Sequence, residues 1–355
     1  MPFPLPTRRG FLAGLGTAAV GLSFGLSGCH KGSGKKINFY NWDTYIGKTT
    51  LKDFQAASGI DVNMSLFANN DELFAKLRGG NQGYDVIVPT NDFVQRMGAA
   101  GMLMPLDHAK IPNFKNIAPE FQDVAFDPGR RLSMPYTWLV LGIGYRKSKV
   151  QGVPDDWKWV FDSPMYKDRI ALLSEAGDLC RLVFKYLGYP MDTSDPAAFR
   201  KAEELLIKQK PYVKAFHDDN GQDLLLAGDV DIVIEYNGDI AQVMREDPDL
   251  NFVVPRQGSQ ISSDCLCIPK GAPSPDLAHE FINYLLDAKA GAEISQTIQY
   301  PTPNAAAKAL MPATYRDNPV IFPPQPILAK CEYAKYAGEA ISRQYEEIIT
   351  RVRAA

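Results

Sequence analysis

Residues 37–90 read INFYNWDTYIGKTTLKDFQAASGIDVNMSLFANNDELFAKLRGGNQGYDVIVPT, and this stretch decides the fold class. Ile37-Asn38-Phe39-Tyr40 has the apolar and aromatic character that suits a pleated, half-buried strand. Residues 50–57 predict a helix that Gly59 ends, because glycine adopts the left-handed conformation of a helix C-cap without a Cβ clash. Residues 60–66 alternate as a strand does, and residues 70–77 set Leu73 and Leu77 four apart on one helix face. Residues 84–88 form a short apolar run that stops at Pro89, as a buried strand would. Strand and helix therefore alternate, which argues for a parallel sheet with helices packed on it.

The same alternation recurs downstream. Strands are predicted at residues 139–145, 231–234 and 252–254, and helices at 178–187, 196–208 and near 239–245. Ser274 caps a further predicted helix, with Pro275 in its first turn and an apolar stripe of Leu277, Phe281, Leu285 and Leu286. The last helix is predicted at residues 336–352. A chain of 355 residues with 45% hydrophobic residues is long enough for two packed domains.

Upstream of residue 37 the signals concern export. Thr7-Arg8-Arg9-Gly10-Phe11-Leu12 is a twin-arginine pattern followed by an apolar stretch to Leu26. That stretch is shorter than the roughly 20 apolar residues a membrane span needs. Leu26-Ser27-Gly28-Cys29 resembles a lipoprotein box, so residues 1–28 are expected to be a removed signal and Cys29 the lipidated residue. Residues 29–36 are polar and glycine-rich, as a tether would be.

The formal charge is −3, and no Lys/Arg cluster stands out, which argues against a nucleic-acid partner. A mildly acidic balance suits a cationic ligand. Beyond Cys29 the chain has Cys180, Cys265, Cys267 and Cys331, too few for a disulfide framework. None of its four histidines, at 30, 108, 217 and 279, is in metal-ligand spacing with a cysteine, so buried thiols and no metal are expected. Gly21-Leu22-Ser23-Phe24-Gly25 matches a hydrolase nucleophile elbow as a string, but it sits in the leader with no strand before it. Gly142-Ile143-Gly144 lacks the third glycine and the helix of a dinucleotide loop, and Asp218-Asp219-Asn220-Gly221 reads as a turn. No enzyme activity and no cofactor are expected.

A series of short motifs runs in one order from residue 40 to residue 304. They are Tyr40-Asn41-Trp42-Asp43-Thr44-Tyr45, Tyr84-Asp85-Val86-Ile87-Val88-Pro89-Thr90, Met134-Pro135-Tyr136-Thr137-Trp138, Tyr236-Asn237-Gly238-Asp239, Asp264 before Ile268-Pro269, and Tyr300-Pro301-Thr302-Pro303-Asn304. By these the chain resembles the bacterial periplasmic spermidine/putrescine-binding proteins. The resemblance implies an α/β, two-lobed periplasmic-binding-protein fold with the ligand cleft between lobes. Residues 36–138 plus 264–308 would form one lobe and 139–263 plus 309–355 the other. It implies a monomeric capture component of an ABC importer, handing spermidine or putrescine to a membrane permease and ATPase. A sensor acting through a membrane receptor and a binder of guanidinium compounds are the alternatives.

Such a ligand needs carboxylates for its ammonium groups and aromatic faces for its methylenes. Matched by position, Trp42, Tyr45, Tyr236 and Tyr300 resemble the aromatic walls and Thr90 a polar contact. Asp43, Glu175, Asp178, Asp239, Asp264 and Glu332 match acidic positions. As bare residues, Glu175 and Asp178 also read as helix-start acids, Asp239 as a surface-helix acid, Asp264 as a turn acid, and Trp42, Tyr45 and Tyr300 as core. Two positions depart from the pattern, since Asp92 and Ser262 stand where spermidine-binding relatives have aromatic rings. An acid there is expected to demand a ligand charge, favouring spermidine over putrescine.

Overall fold

The computed structural model describes residues 34–355, so the expected leader and Cys29 lie outside the described residues. Ten strands are present among them: β1 (Lys36–Asn41), β2 (Asp61–Leu66), β3 (Val86–Ile87), β4 (Ser133–Arg146), β5 (Ile170–Leu173), β6 (Val213–His217), β7 (Ile232–Tyr236), β8 (Leu250–Val253), β9 (Gln260–Cys267) and β10 (Glu332–Tyr333). β1 pairs in parallel with both β2 and β3, as the opening stretch predicts. The helix Thr50–Ser58 between β1 and β2 ends at Gly59, whose φ of 72° lies in the left-handed region. The helix Asn70–Arg78 starts at Asn69, whose side chain accepts the Glu72 N–H, an N-cap that satisfies one orphan donor of the first turn.

The strand order is β2-β1-β3-β9-β4-β7-β5-β6, with β8 also paired to β4 and β10 to β9. One long strand organises everything else. Residues Ser133 to Val140 of β4 lie antiparallel to β9, and Leu141 to Arg146 lie antiparallel to β7 and β8. β5 pairs in parallel with β6 and β7. The apolar side chains divide accordingly. One core gathers Ile37, Phe39, Phe54, Val86, Cys265, Phe281 and their neighbours around β1, β3 and the end of β9. Two others lie beyond β4, one around Trp157, Phe161, Leu179, Phe184 and Ile348, the other around Val140, Val233, Ile240 and Ile321. The chain is thus a mixed α/β protein with separate cores on either side of the β4–β9 ladder.

Local details depart from the sequence reading. β4 begins at Ser133 rather than 139 because the Met134–Trp138 motif is itself strand. Ser274 precedes the helix Pro275–Leu285, but its side chain makes no cap; its N–H donates to Asp85 instead, at 2.7 Å. The last helix is Glu339–Ala354, delayed by Gly338 at φ 97°. Cys180, Cys265 and Cys267 are buried free thiols, while Cys331 is only half-buried.

Candidate functional site

In open α/β sheets ligands gather beyond the carboxyl ends of strands. Here those ends carry the expected residues. The loop after β1 holds Trp42 and Tyr45. Trp42 Nε1 donates to the Val88 carbonyl at 2.8 Å, and the buried Asn41 amide and the Tyr136 hydroxyl both donate to the Tyr45 carbonyl. Asp264 sits on β9 opposite Thr137, next to the bulge at Pro135/Thr137. The Tyr45 hydroxyl donates to Asp264 Oδ2 at 2.6 Å and accepts from the Thr137 hydroxyl. Tyr236 ends β7, and Asp239 follows in the first turn of the helix Asn237–Val243. The Tyr300 hydroxyl donates to Asp239 Oδ2 at 2.6 Å. Gly238 makes that approach possible, since a Cβ there would lie 2.2 Å from the Tyr300 ring.

These groups line a partly open cavity with about 330 Å³ of empty space, solvent at its mouth included. It is lined by the rings of Trp42, Tyr45, Tyr236 and Tyr300, by Thr90, and by the carboxyl groups of Asp43, Asp239 and Asp264. Leu139 and Asp219 complete it, and neither was singled out from sequence. Asp219 reads as one acid of a turn; the signal that points to it is its place just past the carboxyl end of β6.

The cavity is electrostatically loaded for a cation. Burial pushes the Asp264 carboxyl up to about 7 against the lowering hydrogen bonds from Tyr45 and Thr137, and Asp239 and Asp178 push it further up. Asp239 is likewise raised to about 7, by burial first. Asp219 is held well above the usual carboxylate range by desolvation and then by Asp239, Glu235, Asp264 and Asp43. Asp264 Oδ1 is buried with no hydrogen-bond partner, so a carboxylate oxygen is left unsatisfied in an acidic cavity. Among the described residues no group of His, Cys, Asp and Glu is placed to hold a metal ion.

The profile of the bacterial extracellular solute-binding protein family matches residues 49–323. The chain belongs to that family. This solute-binding protein is 32% identical over 343 residues to the spermidine/putrescine-binding periplasmic protein of Salmonella typhimurium, covering 95% of this chain and 97% of the relative. It is 33% identical over 314 residues to a putrescine-binding periplasmic protein of Pseudomonas aeruginosa, covering 83% of this chain and 86% of the relative. Its fold matches a solved putative spermidine/putrescine ABC transporter protein of Listeria monocytogenes with a TM-score of 0.86 and 31% identity, over 90% of this chain and 99% of that one. The expected two-lobed periplasmic-binding-protein architecture is therefore the observed one.

Four of the acids expected at the site do not line the cavity. Asp178 lies behind Tyr236, whose hydroxyl donates to its Oδ2 at 2.8 Å, and the Gln260 amide donates to its Oδ1 at 2.6 Å. Glu175 accepts from the backbone and side-chain amides of Asn70 at 3.4 and 3.1 Å. Its carboxyl is raised well above the usual range by burial, then by Asp178, Asp71 and Asp92. Asp92 also lies outside this cavity lining, and its carboxylate is paired inside the protein with Arg181 at 2.9 Å. Glu332 lies outside it as well, an exposed acid of β10 paired with Lys185 at 2.6 Å. Ser262 accepts from Gln260 and leaves no aromatic wall in its place.

Proposed function

We propose that this chain captures a linear polyamine outside the cytoplasm and delivers it to the permease and ATPase of an ABC importer. The observation that carries the reading is the unpartnered Asp264 Oδ1, buried in a cavity whose other acids are Asp43, Asp219 and Asp239 and whose walls are aromatic. An unsatisfied buried acceptor is costly, and an ammonium donor relieves it with a charge-assisted hydrogen bond. The rings of Trp42, Tyr45, Tyr236 and Tyr300 suit the methylenes between ammonium groups, each ring worth about 0.5–2 kcal/mol toward a nearby cation. The names of the relatives agree with this ligand class. The protein acts by capture, as a monomer, without chemistry on the ligand.

Residues 36–138 plus 264–308 make one lobe in this reading, and 139–263 plus 309–355 the other; the separate cores on either side of β4 and β9 support that division. The twin-arginine leader and Cys29 provide export and a lipid anchor. Replacing Cys29→Ser should release the protein from the membrane fraction; unchanged partitioning defeats the anchor. Titration calorimetry against polyamines, amino acids and guanidinium compounds tests the ligand class. Saturable binding of a polyamine is the expected result, and binding confined to amino acids or guanidinium compounds overturns it.

A further inference from the structure

Arg181 stands beside the cavity and belongs to none of the motifs. Its guanidinium donates from Nη2 to Asp92 at 2.9 Å and from Nη1 to Asp178 at 3.2 Å. All three residues are more than nine-tenths buried. Each acid is tied in turn to a wall of the cavity. The Thr90 hydroxyl donates to Asp92 Oδ1 at 2.7 Å, and the Tyr236 hydroxyl donates to Asp178 Oδ2 at 2.8 Å. One seam of hydrogen bonds thus runs Thr90, Asp92, Arg181, Asp178, Tyr236, beginning and ending on cavity walls. It joins the helix Asn91–Ala99 to the helix Ala176–Tyr186. On its outer side Arg181 also donates to the Lys335 carbonyl at 3.2 Å.

We infer that Arg181 is a built-in cation that takes the place of a ligand ammonium at this end of the cleft and so limits ligand length, selecting a linear diamine over a longer triamine. The inference rests on the polyamine reading. Two acids that could have received an ammonium already share one guanidinium with fixed fork geometry, which cancels one of their two charges and occupies the space between them. A further ligand cation driven to this end would meet the buried Arg181 guanidinium as a like charge, where screening is weaker than in water. Burial works against the Arg181 charge, but Asp92 and Asp178 outweigh it and keep the guanidinium protonated. The acids Asp43, Asp219, Asp239 and Asp264 line the cavity on the other side of the seam, where the two ammonium groups of a short dication can each meet one of them.

The test is calorimetry of the purified chain with putrescine and spermidine, for the parent, for Arg181→Gln, and for the charge-balanced Asp92→Asn/Arg181→Gln pair. The parent should bind putrescine at least about tenfold tighter than spermidine, and either variant that folds should shrink that ratio at least about tenfold. A ratio unchanged in a folded variant, or a parent that binds spermidine as tightly as putrescine, overturns the inference while leaving the polyamine reading intact. A parent that binds no polyamine overturns both. Should neither variant fold, the parent is titrated with diamines of increasing chain length. Affinity should drop sharply beyond one length, and a flat series overturns the proposal.

Discussion

The two ends of the cleft are built from the same residue types and do opposite things. At one end Asp264 is buried and touched by two hydroxyl groups, and one of its oxygens is left without a partner. At the other end Asp92 and Asp178 are equally buried, but Arg181 bridges them. In the proposed reading the first arrangement receives an external cation, whereas the second already holds the guanidinium of Arg181. Burial and acidity therefore do not identify a ligand acid; what matters is whether its charge is already met.

The contrast is most exposed to mutation at Asp264. Asp264→Asn keeps the shape and removes the charge that a ligand ammonium would meet. Truncating one partner of a buried charge pair costs about 2–5 kcal/mol, so polyamine affinity should fall by roughly thirtyfold or much more in calorimetry. Asp92→Asn should act differently, lowering thermal stability by leaving Arg181 short of a partner, while diamine affinity changes less than in Asp264→Asn. Equal affinity losses at both positions would erase the distinction between the ends.

A pH series sharpens the same comparison with a smaller effect. Asp239 and Asp264 carry carboxyl groups raised to about 7 in the free protein, far above the roughly 3.9 of an unfolded aspartate. Between those values the folded state binds protons that the unfolded state does not, so the free protein should lose stability as pH rises from about 4 to 7. A bound ammonium favours the carboxylates instead. Binding near pH 7 should release protons, and affinity should weaken as pH falls below 7, by up to about tenfold per unit for each proton displaced. Calorimetry in buffers of different ionisation enthalpy reads the released protons directly. Binding with no proton release, and no loss of free-protein stability on raising pH, would mean these acids are not held protonated.

The smallest effect is expected at Glu332. It is exposed, and its pairing with Lys185 is a surface ion pair worth about 0–1 kcal/mol. Glu332→Gln should leave polyamine affinity within about twofold and melting temperature nearly unchanged. A loss comparable to that of Asp264→Asn would place Glu332 in the site after all.

Much of this was legible in the chain itself. Strand and helix periodicity around residues 37–90 pointed to a parallel sheet with packed helices, because backbone periodicity and close-range turn chemistry are local properties; the two-lobed form followed only from the family resemblance carried by the ordered motifs. The same motifs supplied Trp42, Asp43, Tyr45, Thr90, Tyr236, Asp239, Asp264 and Tyr300, all of which line one cavity. Tertiary structure alone decided which acids keep a free charge. Asp92 is neutralised by a residue 89 positions away, and Tyr300 reaches Asp239 across 61. Asp219 enters the cavity from a turn whose local sequence marks only a reversal of direction. Electrostatic availability depends on what stands within a few ångströms in space, and for these groups that neighbour is remote in the sequence.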